Sequence, residues 1–318
     1  MAAIVLVAAL NCICVLASSN YGATEVQPGR ISACALLDDG NVKCWGGQTH
    51  TVLAQGDSTV RGDQPDEMGD FLPPIDLGTG RTATSLTTGP WEYSMCVVLD
   101  DGNAKCWGWN AYGQCGIGTN TDVGGVGFDG TSPVAMLGAG RTVQEVAGGW
   151  YHMCALLDGG SVKCWGYGGQ TLGYGDTTNR GTNVNELGEN LPEVDLGTGK
   201  VAKALYSGYG SICVILTDDS TKCWGKYQEV PYGDSVLRGT APGEMGDNLP
   251  TVDFGTGRHA THISMGENIG CAVLDDGGVK CWADTGSNTA GKLGQDATGL
   301  AMGDSFPPIN LGTGKAVQ

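Results

Sequence analysis

The sequence predicts an all-β fold, a β-propeller of four-stranded blades with five repeats visible, and three observations carry that reading. The motif Cys-x9-Cys-Trp returns at 34–45, 96–107, 154–165, 213–224 and 271–282, at spacings of 62, 58, 59 and 58 residues. Such a period is long for a solenoid repeat but fits one four-stranded blade plus a long loop. Each motif reads as two short strands about a tight turn. Glycine is abundant, 55 residues in 318, and no stretch shows sustained helical periodicity, which suits many short strands joined by turns.

The first residues stand apart. Residues 2–17 form an apolar run followed by Ala17, Ser18 and Ser19, which resembles a secretory signal with cleavage near Ser19, although no Lys or Arg precedes Arg30. The run is short for a membrane span. Residues 1–19 are therefore expected to be a signal peptide, with an N-terminal membrane anchor as the alternative, and 20–318 a single repeat domain.

Within each repeat, a first strand is expected at Ala23–Gln27, Gln144–Ala147, Lys203–Tyr206 and Thr261–Ser264, innermost in its blade. The hairpin follows. In the third copy, Cys154–Leu157 and Ser161–Trp165 flank the turn Asp158-Gly159-Gly160, whose last residue must enter the left-handed region. The same place holds Gly40, Gly102 and Gly277, and in the fourth copy Asp219, which tolerates that conformation. Counting back from the turn pairs Leu156 with Val162 and Cys154 with Cys164, the latter at a non-hydrogen-bonded site close enough for a disulfide.

Alternation puts Cys154, Leu156, Val162 and Cys164 on one face and Ala155, Leu157 and Trp165 on the other. Both faces are apolar, as a blade packed on both sides requires. Lys163, repeated as Lys43, Lys105, Lys222 and Lys280, shares the tryptophan face. It is read as scaffold, its methylenes over the ring and its amine at the rim. A fourth strand is expected at Pro74–Leu77, Val134–Leu137, Glu193–Leu196, Thr251–Phe254 and Pro308–Leu311, followed in four copies by Gly-Thr-Gly.

Between the third and fourth strands runs a loop long enough to carry function. Three copies share a pattern, Gly-Asp then Arg-Gly then Glu: Asp57, Arg61 and Glu67; Asp176, Arg180 and Glu186; Asp234, Arg238 and Glu244. Binding residues are expected in these loops, chiefly Asp57, Arg61, Asp63, Asp66, Glu67 and Asp70, and in the glycine-rich stretch 124–130. Arg61-Gly62-Asp63 reads as an integrin-type tripeptide, but Arg180-Gly181-Thr182 in the same slot makes the Arg-Gly a repeat feature. The loop carboxylates lack the alternating spacing of a calcium loop.

Ten of thirteen cysteines fall in the hairpins. Five equal pairs, Cys34–Cys44, Cys96–Cys106, Cys154–Cys164, Cys213–Cys223 and Cys271–Cys281, fit disulfides made in an oxidising compartment. Zinc is disfavoured, because each pair supplies two ligands with no histidine beside it. Cys115 stands where other copies carry Leu172 or Leu293 and is expected to be a buried thiol.

With these residues placed, the chain resembles the regulator of chromosome condensation repeat family. Gly148-Gly149-Trp150-Tyr151-His152 leading into Cys154-Ala155-Leu156-Leu157 is similar to the family's Gly-Gly-x-x-His entry. The stretch Trp107-Gly108-Trp109-Asn110-Ala111-Tyr112-Gly113-Gln114-Cys115-Gly116 is similar to its Trp-Gly-x-Asn-x-x-Gly-Gln-Leu-Gly exit. The resemblance spans about residues 23–318 and implies a propeller of seven four-stranded blades sealed by strands from the two chain ends. Here five hairpins are present, the entry histidine occurs once, and the cysteine pairs point to an exported branch. The array is therefore expected either to close with five blades or to be part of a seven-blade ring, the chain stopping midway through an inner strand.

Charge narrows the function. With 17 Lys plus Arg against 34 Asp plus Glu, the net charge of −17 opposes nucleic-acid and anionic-membrane binding. The four histidines, His50, His152, His259 and His262, form no catalytic constellation, and no set was found to converge on a central channel. The expectation is a secreted, non-catalytic binding scaffold with no cofactor or metal, presenting its loops to a protein or glycan partner. The resemblance alone implies the alternative of guanine nucleotide exchange on a small GTPase. A propeller lyase or hydrolase ranks last.

Overall fold

The computed structural model describes residues 22–89, 93–169, 171–226, 230–234, 236–283, 302–312 and 317. The expected signal segment 1–19 lies outside them. Five antiparallel sheets follow one another, each with its strands in chain order. Blade 1 holds β1 (Ala23–Pro28), β2 (Ser32–Leu37) and β3 (Val42–Gly46); blade 2 holds β4 (Ala83–Thr88), β5 (Ser94–Leu99) and β6 (Ala104–Gly108). Blade 3 holds β7 (Val143–Gly148), β8 (His152–Leu157) and β9 (Val162–Gly166); blade 4 holds β10 (Ala202–Ser207), β11 (Ser211–Leu216) and β12 (Thr221–Gly225). Blade 5 holds β13 (Ala260–Met265), β14 (Ile269–Leu274) and β15 (Val279–Ala283).

The hairpin register is the one expected. Leu156 pairs with Val162 and Cys154 with Cys164, and the same holds in every copy. The turn residues Gly40, Gly102, Gly160, Asp219 and Gly277 all sit in the left-handed region, with φ between 69° and 80°. All five expected disulfides are formed, their Cα atoms 4.0 or 4.1 Å apart. Cys115 is a fully buried thiol.

Two expectations need correction. Each described sheet has three strands, and the fourth segments do not form regular strands. Each is tied to the third strand by one backbone bond, Ile75 to Val42, Ala135 to Ala104, Val194 to Val162, Val252 to Thr221 and Ile309 to Val279, at 2.7 or 2.8 Å. Prolines just upstream, such as Pro73 and Pro192, withdraw ladder donors, and left-handed Gly78 and Gly197 end the segments, so pairing stops. The second correction concerns the lysines. Lys105, Lys163, Lys222 and Lys280 are buried, and their amines point inward. Lys163 Nζ donates to Leu137 O of blade 2 and to Gly188 O of its own loop, both at 2.9 Å. Lys105, Lys222 and Lys280 bond Leu77, Leu196 and Phe254 of the preceding blade in the same way. Burial lowers the affinity of each amine for its proton.

Four apolar cores lie between successive blades. Between blades 3 and 4, Cys154, Leu156 and Val162 meet Leu205, Val214 and Trp224. Each blade thus offers a disulfide face forward and a tryptophan face backward. Polar ties reinforce every junction. The indoles of Trp107, Trp165 and Trp224 donate to Val52 O, Gln114 O and Thr171 O in the preceding blade's loop, at 2.8–2.9 Å. Asp247 and Asp304 accept from the amide and hydroxyl of Thr198 and Thr256, and Glu189 accepts from Ala139 N. On the inner strands, Glu25 accepts from Leu86 N at 2.9 Å and Glu145 from Leu205 N at 3.2 Å. His152 is wholly buried and reaches Ser207 Oγ of the next blade at 3.0 Å, the scaffold role its repeat position implied.

Candidate interaction face

The site grows from the way each sheet ends. Opposite the hairpin turns, the loop between the first two strands lies beside the exit from the third. The residue after each Trp-Gly donates its amide to the residue before the second strand. The pairs are Gly47 to Ile31, Trp109 to Tyr93, Tyr167 to Tyr151 and Lys226 to Gly210, at 2.7–2.9 Å. Glycine is required at the corner: Gly166 has φ 102°, and a Cβ there would fall 2.5 Å from Tyr151 O.

This geometry gathers aromatic side chains that lie far apart in sequence. Tyr151 sits at the centre, its ring centroid 4.4 Å from Trp109, 4.2 Å from Trp150 and 5.4 Å from Tyr112. Trp150 stacks on Tyr209 of blade 4 at 4.5 Å and 14°, and its amide donates to Tyr209 O at 2.8 Å. On the other side Trp109 contacts His50 at 5.6 Å, and His50 contacts Tyr93 at 5.1 Å. Tyr167 joins through Tyr112 at 4.9 Å. Cations close both ends: Arg30 lies over Tyr93 at 5.2 Å, and Lys226 over Tyr209 at 5.4 Å. Lys226 also donates to Asn268 of blade 5, at 3.1 Å.

All eight rings are partly exposed. Half-exposed aromatics bring large contact area at little entropic cost, and with arginine they dominate the energetics of interfaces. Tyr151 is held at φ 70°, a conformation that costs an aromatic residue roughly 1–3 kcal/mol. The matching place in blade 5 holds Asn268, at φ 58°, a residue that tolerates it better.

The loop residues expected to bind lie in loops of their own, with these partners. Asp57 Oδ2 pairs with Arg61 Nη2 at 2.7 Å, and Glu67 Oε2 accepts the amides of Gly62, Asp63 and Gln64 at 2.8–3.1 Å. Blades 3 and 4 repeat this with Asp176–Arg180 and Asp234–Arg238, at 2.8 and 2.6 Å, and with Glu186 and Glu244. Hydrogen bonding from Arg180 brings the Asp176 carboxyl down to about 2. Arg180 lies 4.4 Å over Tyr174, whose hydroxyl bridges the backbone N and O of Cys164. Asp57, Arg61 and Glu67 therefore hold their own loop in shape, while Asp63, Asp66 and Asp70 remain exposed. In the glycine-rich stretch Gly124 O accepts from Gly56 N at 3.3 Å, and Val126 is 96% exposed. Among the described residues no three His, Cys, Asp or Glu gather to hold a metal.

The first strands of the five blades line a cavity of about 60 Å³, to which Gln27, Thr87, Glu145, Tyr206 and Ser264 contribute. Burial pushes the Glu145 carboxyl up to about 7 and the Tyr206 hydroxyl to about 12. Tyr206 Oη is 3.4 Å from His262 Nδ1, their rings edge to face. The sequence reading found no such set, because only inter-blade packing brings these three groups together.

A fan of sheets with a core at each junction defines a propeller-type repeat protein. Comparison finds the same kind of repeat: residues 101–156 match the regulator of chromosome condensation (RCC1) repeat, and residues 143–170 match a second form of it. It is 30% identical to the ultraviolet-B receptor UVR8 of Arabidopsis thaliana over 177 residues, 53% of this chain and 36% of that protein. It is 28% identical to protein pim1 of Schizosaccharomyces pombe over 158 residues, 47% of this chain and 29% of that protein. Among solved structures it is similar to yeast RCC1 (Prp20) bound to Kap60, with TM-score 0.58 and 18% identity, covering 81% of this chain and 55% of that one. Human WBSCR16 gives TM-score 0.57 and 18% identity, covering 82% and 61%. The chain thus spans about a third of the length of these curated relatives.

Proposed function

We propose that the protein is an exported, non-catalytic binding module that seats a protein or glycan partner on its aromatic face. One observation carries this reading: eight partly exposed rings form an unbroken chain of contacts across four blades, with a cation at each end. A scaffold alone has no use for them. Five disulfides fit an oxidising compartment, and among the described residues no helix is long and apolar enough to cross a membrane. The similarity to a receptor, UVR8, is consistent with recognition as the role.

The test is capture of partners from the extracellular fraction of the source, with wild type and a Trp150→Ala/Tyr209→Ala variant immobilised in parallel. A partner held by the wild type and lost by the variant is expected. Equal capture by both, or none by either, would refute the assignment to this face.

A further inference from the structure

One position recurs on the first strand of every blade, opposite the first disulfide cysteine: Gln27, Thr87, Ala147, Tyr206 and Ser264. All five line the cavity of about 60 Å³ that these strands share. Four of the five side chains are polar. The fifth, Ala147, is short, and Glu145 two residues before it lines the cavity as well. Buried polar groups are as a rule hydrogen-bonded, and two groups here fall short of that. Gln27 is 4% exposed, and its carboxamide has no hydrogen-bond partner among the described residues. A buried group left unsatisfied in this way destabilises the fold. Glu145 accepts from Leu205 N, and no Lys or Arg stands among the described residues lining the cavity to balance its charge.

The chemistry of these groups selects a ligand. An ionised carboxylate only accepts hydrogen bonds, and Gln27, Thr87, Tyr206 and Ser264 each carry an oxygen that accepts too. The carboxylate repels an anion. A metal ion is poorly served, since among the described residues no three His, Cys, Asp or Glu gather in one place. An ammonium group supplies three donors together with the missing positive charge. Ala147, Leu205 and Met265 give the cavity apolar walls for a short alkyl chain. The volume holds about four to six water-sized groups. Thr87, Glu145, Tyr206 and Ser264 are partly exposed, so a ligand can enter from solvent.

We propose that this cavity binds a small primary amine, its ammonium group between Glu145 and Gln27 and its alkyl chain against Leu205 and Met265. The site shares no residue with the aromatic face. The amine binds the ionised form of Glu145. Burial holds that carboxyl at about 7 in the free protein, so affinity should rise as pH passes through 7. The other titratable groups around the cavity are Tyr206, His262 beside it, His152 against Ser207, and Glu25 on β1. Tyr206 is pushed up to about 12 and His152 down to about 4, so neither changes charge between pH 6 and 8. Burial lowers His262 from 6.5 and raises Glu25 from 4.5. Glu145→Gln keeps all four and isolates the group in question.

The test is isothermal titration calorimetry of the disulfide-intact chain with n-butylammonium, and with 1-butanol and butyrate as neutral and anionic probes of similar size. Wild type should bind the amine about tenfold more tightly at pH 8 than at pH 6, and neither of the other two. Glu145→Gln should lose the binding at both pH values. Gln27→Leu should weaken it at both without lowering the melting temperature, because the carboxamide it removes bonds nothing in the fold. Circular dichroism checks folding, and Gln27→Leu carries the test if Glu145→Gln fails that check. A wild type that binds no amine overturns the proposal and leaves a cavity filled by water. Butanol bound as tightly as the amine, an affinity indifferent to pH, or amine binding that survives in Glu145→Gln overturns it equally.

Discussion

Glu145 gives the sharpest physical test of how the blades are joined. Its carboxylate accepts from Leu205 N across the junction of blades 3 and 4, half-buried beside the cavity lined by the inner strands. Burial raises its pKa from 4.5 to about 7, against the lesser opposing effect of that hydrogen bond. A folded-state value above the unfolded one means that stability is full below 4.5 and is lost as pH rises through 7. At 1.36 kcal/mol per unit, the charged form destabilises the fold by at most about 3 kcal/mol at neutral pH. Glu145→Gln keeps an oxygen to accept from Leu205 and removes the charge. Urea unfolding should therefore show equal stability for variant and wild type near pH 4.5, and a variant more stable by about 2–3 kcal/mol near pH 7.5. A variant less stable at neutral pH, or a difference that does not change with pH, would refute the reasoning.

Other outcomes follow from the same contacts. Burial lowers the His152 pKa from 6.5 to about 4, so its contribution is present above 6.5 and is lost as pH falls through 4. In wild type this slope opposes that of Glu145; comparing Glu145→Gln with Glu145→Gln/His152→Asn cancels the shared slopes of buried His262 and Glu25, and the His152 difference should amount to about 3 kcal/mol in urea titrations between those pH values. Lys163→Met leaves Leu137 O and Gly188 O without their donor inside the fold, and should destabilise by about 2–4 kcal/mol in the same assay. Replacing Cys154 and Cys164 together by serine should cost about 2–3 kcal/mol, read as a lower denaturation midpoint with an unchanged register of amide protection. Trp150→Ala should leave the melting temperature nearly unchanged, by calorimetry, because the ring lies at the partly exposed end of its blade.

Covalent spacing and period-two alternation are local properties, and what they govern was legible. The turn glycines fix the register that sets Cys154 opposite Cys164, and alternation from that point assigns Leu156 and Trp165 to opposite faces. Aligning the copies placed Cys115 where the others carry Leu172 and Leu293, and it is a fully buried thiol. The lysine amines were not legible, because Lys163 bonds carbonyls 25 and 26 residues away, one of them in another blade. Nor was the weak fourth segment, whose alternation, as in Ile75 and Leu77, is strand-like although its donors are few.

The aromatic face is the instructive miss. Trp109, Trp150, Tyr151 and Tyr209 stood inside the motifs that identified the repeat, yet composition counted aromatics as few. A signal existed. Aligning the copies on their turns places aromatic residues repeatedly after Trp-Gly and just before the second strand, and those two places become neighbours once the sheet forms. By contrast, the repeated loop carboxylates have a structural use in blades 1, 3 and 4: Asp57 and Glu67 hold Arg61 and the loop amides of their own loop, as Asp176 and Glu186 and Asp234 and Glu244 do in theirs.

The most direct measurement is a non-reducing peptide map of the protein isolated from its source, since hairpin register, compartment and scaffold all depend on the same bridges. The account predicts five linked pairs, each joining cysteines ten positions apart, with Cys115 alkylated only after unfolding. Free thiols at the hairpin cysteines, or bridges crossing from one blade to another, would contradict it.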